Sequence, residues 1–398
     1  MFSNIERMQN VKTIKDVELE NKRVLIRVDY NVPMDETHAI IDDTRIKESL
    51  ATIEYCIDHK VRYIFLVTHL GQPKEIDENF STKHLLKRLS RLLHKDVEFV
   101  ENFENFAPLD DKIYLFENIR FFEGETKNDD KLSKRLAEVC DVYVNDAFGT
   151  SHRAHSSTCG VAQFVPVSVS GFLLKKEISA FAKALFTPVK PITLVVGGAK
   201  VSSKIVLLKN IIPKINKIII GGAMSNTFLK ALGYDMKSSL AEDELLEEAR
   251  IILEMAKQEK VNIYLPVDVV VTDDIKNFNN IKITPVQEIE DNFKALDIGP
   301  ATVKLYEEVI GLSNTIIWNG PMGMFEVDLF SKGTFKIAHA IADTYAYTIA
   351  GGGDTVNAII QSGEKDNFSF ISTGGGASLE LLEGKILPGV VNLNQLGV

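Results

Sequence analysis

The chain has 398 residues, 45% of them apolar, a formal net charge of −10 and an isoelectric point near 5.4. That length favours two domains over one, and the acidic balance argues against general nucleic-acid binding, so any basic site has to be local. No run of about 18 apolar residues suggests a membrane span; the opening MFSNIERMQN, with Glu6 and Arg7, does not read as a signal peptide; and Cys56, Cys140 and Cys159 lack metal or redox spacing, which suits buried thiols in a reducing cytoplasm.

In chain order, residues 23–32 have strand character, with Val24, Ile26 and Val28 on one face, and Ile46, Leu50, Ile53 and Ile57 then repeat at helical spacing. Residues 63–68 are a continuous apolar run that predicts a buried strand. Residues 81–94 predict a leucine-rich amphipathic helix capped by Ser81 or Thr82. Strands over 112–116 and 142–144 flank a helix over 129–139, so the first half reads as α/β. Residues 172–186 (FLLKKEISAFAKALF) predict one connecting helix, punctuated by Pro188 and Pro191. A hinge is expected near residues 172–190.

Five apolar runs of the second half each end in a glycine-rich turn: residues 192–196 before GGAK, 217–220 before GGAM, 315–318 before NGPMG, 347–350 before GGGD and 368–372 before TGGGAS. Strand, glycine and helix make the unit of a parallel α/β sheet, whose ligands bind beyond the carboxyl ends of the strands. Glycine lets backbone amides approach a ligand, and a helix start favours anions. This half predicts a site for something phosphorylated. Lys200 and Lys204 stand four apart and are expected to share one face at the start of a helix.

The strand ends of the first half carry cations instead. They present Arg27, Asp29 and Asn31, then His69 and Gln72, then Arg120, then His152, Arg153 and His155, while Arg45 opens the first helix. In a parallel sheet these groups converge at one edge. Arginine forks match carboxylate and phosphate oxygens, so the set predicts a small, strongly anionic substrate. Any one of these residues alone is more simply a surface salt bridge; the repeated placement after apolar runs is what reverses that.

RVDYNVP, THLGQP, ENIRFF, NDAFGTSHRAHSS, GGAKVSSK, WNGPMGMFE, GGGDT and STGGGASLELLEGKILPGV, in this order over residues 23–390, together resemble phosphoglycerate kinases. The resemblance implies two Rossmann-like three-layer α/β/α domains with mainly parallel sheets, joined by a helix, with the active site in the cleft between them. Residues 1–171, with a C-terminal tail of about 380–398, would hold the glycerate; 172–186 would connect; 187–379 would hold the nucleotide. The implied reaction is phosphoryl transfer between 1,3-bisphosphoglycerate and ADP, giving ATP and 3-phosphoglycerate, with Mg2+ on the nucleotide, in a cytoplasmic monomer.

By the same resemblance Asp29 and Asn31 bind the carboxyl and hydroxyl end of the glycerate, and Arg45, His69, Arg120 and Arg153 surround it. Arg27 either supports that patch or touches substrate, Asp29 either accepts from the substrate hydroxyl or orients an arginine, and the part of His155 stays open. Lys200 follows the transferred group and Lys204 a nucleotide phosphate. Glu326 takes the ribose, Asp354 the magnesium nucleotide, and Gly351, Gly352, Gly353 and Thr355 cradle phosphates. Gly374, Gly375 and Gly376 supply amides to the group in flight, with Arg45, Lys200, Gly375 and Gly376 as the catalytic set. No general base is needed, because carboxylate and phosphate are already ionised. The chain departs from the family pattern at Gln72, where an arginine is usual, at Ser203, where an aspartate is frequent, and at Ala223, where a third glycine is frequent. A dehydrogenase reading lacks a G-x-G-x-x-G opening a βαβ unit, and GGAKVSSK lacks Walker A spacing. A binding protein that has lost its activity is the rival from another class, disfavoured because every charged group expected for the reaction except the one at Gln72 is retained.

Overall fold

The apolar runs form two six-stranded sheets in a computed structural model that describes residues 3–103 and 106–395. The chain divides into two units: one runs to Ser179 and resumes at Lys385, and the other is Ala180–Gly384. Among the described residues no helix is long and apolar enough to cross a membrane.

The first sheet contains β1 (Arg23–Val28), β2 (Tyr63–Val67), β3 (Val97–Val100), β4 (Lys112–Phe116), β5 (Val142–Asp146) and β6 (Val167–Ser170) in the order β3-β4-β2-β1-β5-β6, every pair parallel. Its central strands are apolar on both faces because both are covered. Val24, Ile26 and Val28 join Ile46 and Ile53 of the helix Thr44–Asp58 in one core, as the alternation predicts. Period-two geometry turns Leu25 and Arg27 to the opposite face. Tyr63, Tyr114 and Phe116 gather there around Phe65, whose ring centroid is 4.8 Å from that of Phe116.

The second unit contains β7 (Ile192–Val196), β8 (Lys217–Ile220), β9 (Asn262–Tyr264), β10 (Asp268–Thr272), β11 (Ile281–Pro285), β12 (Lys294–Ile298), β13 (Thr315–Asn319), β14 (Tyr347–Ala350) and β15 (Phe370–Ile371). Six of these form a parallel sheet in the order β15-β14-β13-β7-β8-β9. Trp318 and Ile316 of β13 anchor the core beneath it with Tyr306 and Ile337. The parallel α/β expectation therefore holds in both units. An antiparallel sheet, β11-β10-β12, is added to the second.

Three local expectations need correction. The run 368–372 contributes only Phe370 and Ile371 as strand residues; Ser372 N–H still donates to Ala350 O of β14 at 2.8 Å, and its hydroxyl lies 2.5 Å from that of Ser378 at the start of the next helix. The segment 81–94 opens as a 3-10 turn, Thr82–Leu85, before the helix Leu86–Leu93. Its first residues are pinned to the end of β4: the Thr82 hydroxyl donates to Phe116 O at 2.7 Å and its N–H to Glu117 at 2.9 Å. Residues 380–384 of the expected C-terminal tail belong to the second unit, and 396–398 lie outside the described residues. From Lys385 on, the chain closes the β5–β6 edge. The Asn145 amide donates to Gly389 O at 2.7 Å, and Asn394 N–H to Ser168 O at 2.8 Å.

The helix Phe172–Phe186 passes from one unit to the other. Its first amides are satisfied from below: Thr52 accepts from Phe172 at 2.9 Å, and Asp146, at the end of β5, accepts from Leu174 at 3.1 Å. Asp146 is fully buried, and burial raises its pKa to about 7 against the pull of those hydrogen bonds. An acid whose folded pKa is raised stabilises the fold below its unfolded value and loses that contribution as pH climbs through about 7. Asp146→Asn, which keeps the acceptor and removes the titration, should therefore gain in melting temperature relative to the parent between pH 5 and pH 8. A constant difference across that range would show that Asp146 does not titrate there.

Candidate functional site

In the first unit the site is built on strand ends. Asp29 and Asn31 follow β1, His69 to Gln72 follow β2, Arg120 lies in a 3-10 turn after β4, and Arg153 and His155 lie in the loop after β5. Asp29 is the organising acid. Arg45, at the start of the helix Thr44–Asp58, pairs with its Oδ2, His69 Nδ1 lies 3.9 Å from its Oδ1, and Asn31 N–H donates to it at 3.4 Å. Gly149 packs so closely that a Cβ there would stand 2.5 Å from Asp29 Oδ2, so the loop tolerates no side chain at this point. Asn31 Oδ1 accepts Gly71 N–H at 2.8 Å, and Arg120 donates to Gly71 O, so the loop after β2 is held from two sides.

Arg27 is 1% exposed. Removing a guanidinium from water costs several kcal/mol unless partners replace the solvent. It donates to Ser157 Oγ at 2.9 Å and to the carbonyl of Val28, and lies 3.3 Å from His69 Nδ1. The countercharge is Glu125, also buried, which accepts from Ser157 N–H at 2.9 Å and from its hydroxyl at 2.6 Å. Burial still leaves the Glu125 pKa above its ordinary value, with Arg27 and Ser157 pulling it back. His69 is driven well below the usual histidine range by burial and then by Arg27, Arg120, Arg153 and Arg45. His155, held 3.8 Å from Glu125, falls to about 4 from burial and from Arg120, Arg27 and Arg153. Both histidines are therefore neutral near pH 7 and serve as hydrogen-bonding groups. Among the described residues four guanidiniums gather around two carboxylates, Asp29 and Glu125, so the cluster carries a surplus of positive charge. Gln72 is exposed and makes no hydrogen bond among the described residues.

In the second unit the glycine turns lie at the carboxyl ends of β7, β8, β13, β14 and β15. The first and third touch backbone to backbone. Gly320 has φ +107°, and a Cβ there would stand 2.2 Å from Gly197 O. Lys204 does not share a helix face with Lys200, contrary to the spacing argument: the helix starts only at Ile205, and residues 201–204 form a turn closed by Lys204 N–H on Val201 O at 2.7 Å. Ser202 is bound to Glu242 at 2.6 Å and Ser203 to Lys200 O at 2.9 Å, which holds this segment out of the helix. The two lysines consequently differ. Lys200 is exposed, while Lys204 is largely buried and donates to Asn319 Oδ1. Burial lowers its pKa to about 8, with Glu383 and Asp354 pulling upward, so it remains charged at neutral pH.

Asn319 also donates to Gly351 O at 2.7 Å, so it couples Lys204 to the turn after β14. Thr355 is buried and accepts Gly320 N–H at 2.6 Å, joining the turns after β13 and β14. Gly353 and Asp354 open the helix Gly353–Ser362, and Gly376 opens Gly376–Leu382. Asp354 and Glu326 are both exposed, and a Cβ at Gly353 or Gly375 would meet open space. Sequence reasoning missed Glu125, Ser157, Gly149 and Asn319. Asn319 had a signal, a polar residue ending an apolar strand before glycine; Glu125 had none.

The family model for phosphoglycerate kinase matches residues 14–385. The chain is 63% identical to a phosphoglycerate kinase of Wolinella succinogenes, over 98% of each chain, and 61% identical to one of Helicobacter hepaticus, over 97% of each. The structure of a phosphoglycerate kinase from Coxiella burnetii superposes with a TM-score of 0.90 at 42% identity, covering 96% of this chain and 98% of that one. Cations on one sheet edge, glycine turns on another and these likenesses along the whole length agree: the chain belongs to the phosphoglycerate kinase family.

Proposed function

We propose that the cation cluster of the first unit holds 3-phosphoglycerate or 1,3-bisphosphoglycerate and that the glycine turns of the second hold ATP or ADP. The observation that carries this division is the surplus of guanidinium groups around Asp29 and His69, which suits a multiply anionic small molecule. As a phosphotransferase of this family the chain passes a phosphoryl group reversibly between 1,3-bisphosphoglycerate and ADP. In the direction of ATP use, an oxygen of the 3-phosphoglycerate carboxylate bonds to the γ-phosphorus and the bond to the ADP oxygen breaks. No proton has to move, which suits histidines held neutral. The problem is charge: anions must meet in line.

In this reading Arg45 meets the transferred group from the glycerate side and Lys200 from the nucleotide side, with the Gly375 and Gly376 amides. Asp29, Asn31, His69, Arg120 and Arg153 position the glycerate. The ion pair between Arg45 and the nearly buried Asp29 favours Asp29 as the acid that orients an arginine. Lys204 and Thr355, with Gly351, Gly352 and Gly353, hold phosphates, and Glu326 the ribose. A magnesium ion accompanying the nucleotide would supply neutralisation of phosphate charge, and Asp354 would be the residue that holds it. The ion prefers one or two carboxylates plus phosphate oxygens, and the exposed Asp354 at a helix start fits that role. We infer a cytoplasmic monomer, for which light scattering on the eluting protein is the check of mass.

Turnover of 3-phosphoglycerate and magnesium ATP in a coupled assay tests the reading; an intact protein that binds ATP without turnover would overturn it. Because the two ligands are assigned to different units, transfer requires the units to close, with the hinge near residues 172–190. Closure also keeps water from the acyl phosphate. Small-angle scattering should show a smaller radius of gyration with both ligands than with either alone. An unchanged radius in a mixture that turns over would count against the hinge. Gln72→Arg should restore a charge beside the glycerate and lower its Michaelis constant several-fold with kcat unchanged; an unaltered constant would remove Gln72 from the substrate's surroundings.

A further inference from the structure

The antiparallel sheet of the second unit has two faces with different fates. Val269, Val271 and Ala295 face a core with Leu229 and Met236. The strand period sends Val270 and Ile283 to the other face. There they line a cleft of about 820 Å3, closed on its far side by the helices Pro300–Gly311 and Lys332–Ala342. Val303 of the first of these helices and Leu329 just before the second complete the apolar lining, and Ile283 and Leu329 remain 61% and 49% exposed. Apolar side chains of this size are not left in water along one wall without a cost in burial.

The rim is cationic. Lys332 and Lys336 lie one turn apart on one helix face, and Lys304 stands on the neighbouring helix. Among the described residues none of the three has an ion-pair partner. Lys282, by contrast, is occupied by Glu290 at 2.8 Å. Two carboxylates also line the cleft. Glu307 is exposed at its margin; Asp297 is buried in its floor and spent on the N–H groups of Ile298, at 2.9 Å, and Gly333, at 2.7 Å. Burial raises the pKa of Asp297 to about 7, so its opposition to an incoming anion is only partial at neutral pH. The lining includes none of Lys200, Lys204, Glu326, Asp354 or the glycine turns at the ends of the parallel strands.

An apolar trough with unpaired lysines at its lip is complementary to one kind of small molecule. We propose that this cleft binds an apolar monocarboxylate of the size of a medium-chain acyl acid, its body along Val270, Ile283 and Val303 and its carboxylate between Lys332 and Lys336. Each methylene buried in the trough raises affinity roughly fourfold, so lengthening the chain by two carbons strengthens binding by about an order of magnitude until the trough is full. The proposal is independent of the transfer reaction, because its residues are not those that hold either substrate.

The test is calorimetric titration of the full chain with octanoate, decanoate and decanol below their aggregation limits, with and without saturating magnesium ATP. One decanoate per chain is expected, tighter than octanoate by about tenfold, unaffected by the nucleotide, and with decanol much weaker. Lys332→Glu/Lys336→Glu should weaken decanoate by at least roughly tenfold while kinase turnover and melting temperature stay at parental values. An acid at the first position of a helix favours the helix, so folding is not at risk there. Val303→Trp, which fills the trough, should abolish binding. Decanoate binding no tighter than decanol, equal affinity in the charge-reversed variant, displacement by magnesium ATP, or no binding below roughly 1 mM would each overturn the proposal.

Discussion

Arg45→Ala should lower kcat by roughly 10²- to 10³-fold while the glycerate Michaelis constant changes far less. Charge on the transferred group peaks between attacking and leaving oxygens, so a guanidinium aimed there acts mainly in the transition state. Arg45 has the attributes for this. Its side chain is 34% exposed, it projects from the first turn of a helix, and among the described residues its only ion pair is with Asp29, whose side chain is 8% exposed. A structural reading predicts something else. Losing Arg45 takes the direct ion-pair partner from the nearly buried Asp29 carboxylate and leaves it to a neutral His69 and the more distant guanidiniums, which destabilises the fold. The double variant Asp29→Asn/Arg45→Ala separates the two. It should recover melting temperature without recovering kcat. If turnover returns together with stability, Arg45 is a support for Asp29 and not a catalytic residue.

The parts of this architecture that sequence made legible are those where one period dominates. Val24, Ile26 and Val28 alternate in a strand covered on both sides, and residues 172–186 keep helical spacing with no glycine or proline inside. The antiparallel strands β10–β12 were not legible, because β11 is half-exposed and its apolar positions, Ile281 and Ile283, alternate over too short a run to stand out. The basic cluster was legible because its members follow strands whose parallel order brings their ends together. Its buried support was not: Glu125 and Ser157 come from segments without strand or charge pattern and meet Arg27 only through tertiary packing. The placement of Lys200 and Lys204 failed for a similar reason. Side-chain bonds to Glu242 and to Lys200 O hold residues 201–204 in a turn, and a spacing rule assumes the helix has already begun.

That difference between the two lysines sharpens the second prediction. Lys200→Ala should reduce kcat by roughly 10²-fold or more and leave the Michaelis constant for ATP nearly unchanged, with no loss of melting temperature. Lys200 lies on an exposed turn just beyond Gly197 and Gly198, with no ion pair among the described residues, so it is free to travel with the group being transferred and its removal leaves no buried charge behind. Lys204 answers differently. It is half-buried and bonded to Asn319, which in turn holds Gly351 O, so Lys204→Ala orphans an acceptor among the glycine turns. That variant should raise the Michaelis constant for ATP and lower stability together. Separate signatures, kcat for one lysine and affinity for the other, are what an unpaired side chain and a pinned one require. If instead Lys200→Ala weakens ATP binding and spares kcat, Lys200 is a ground-state phosphate ligand, and the charge of the moving group must be met on the nucleotide side without it, by the Gly375 and Gly376 amides and the nucleotide's magnesium.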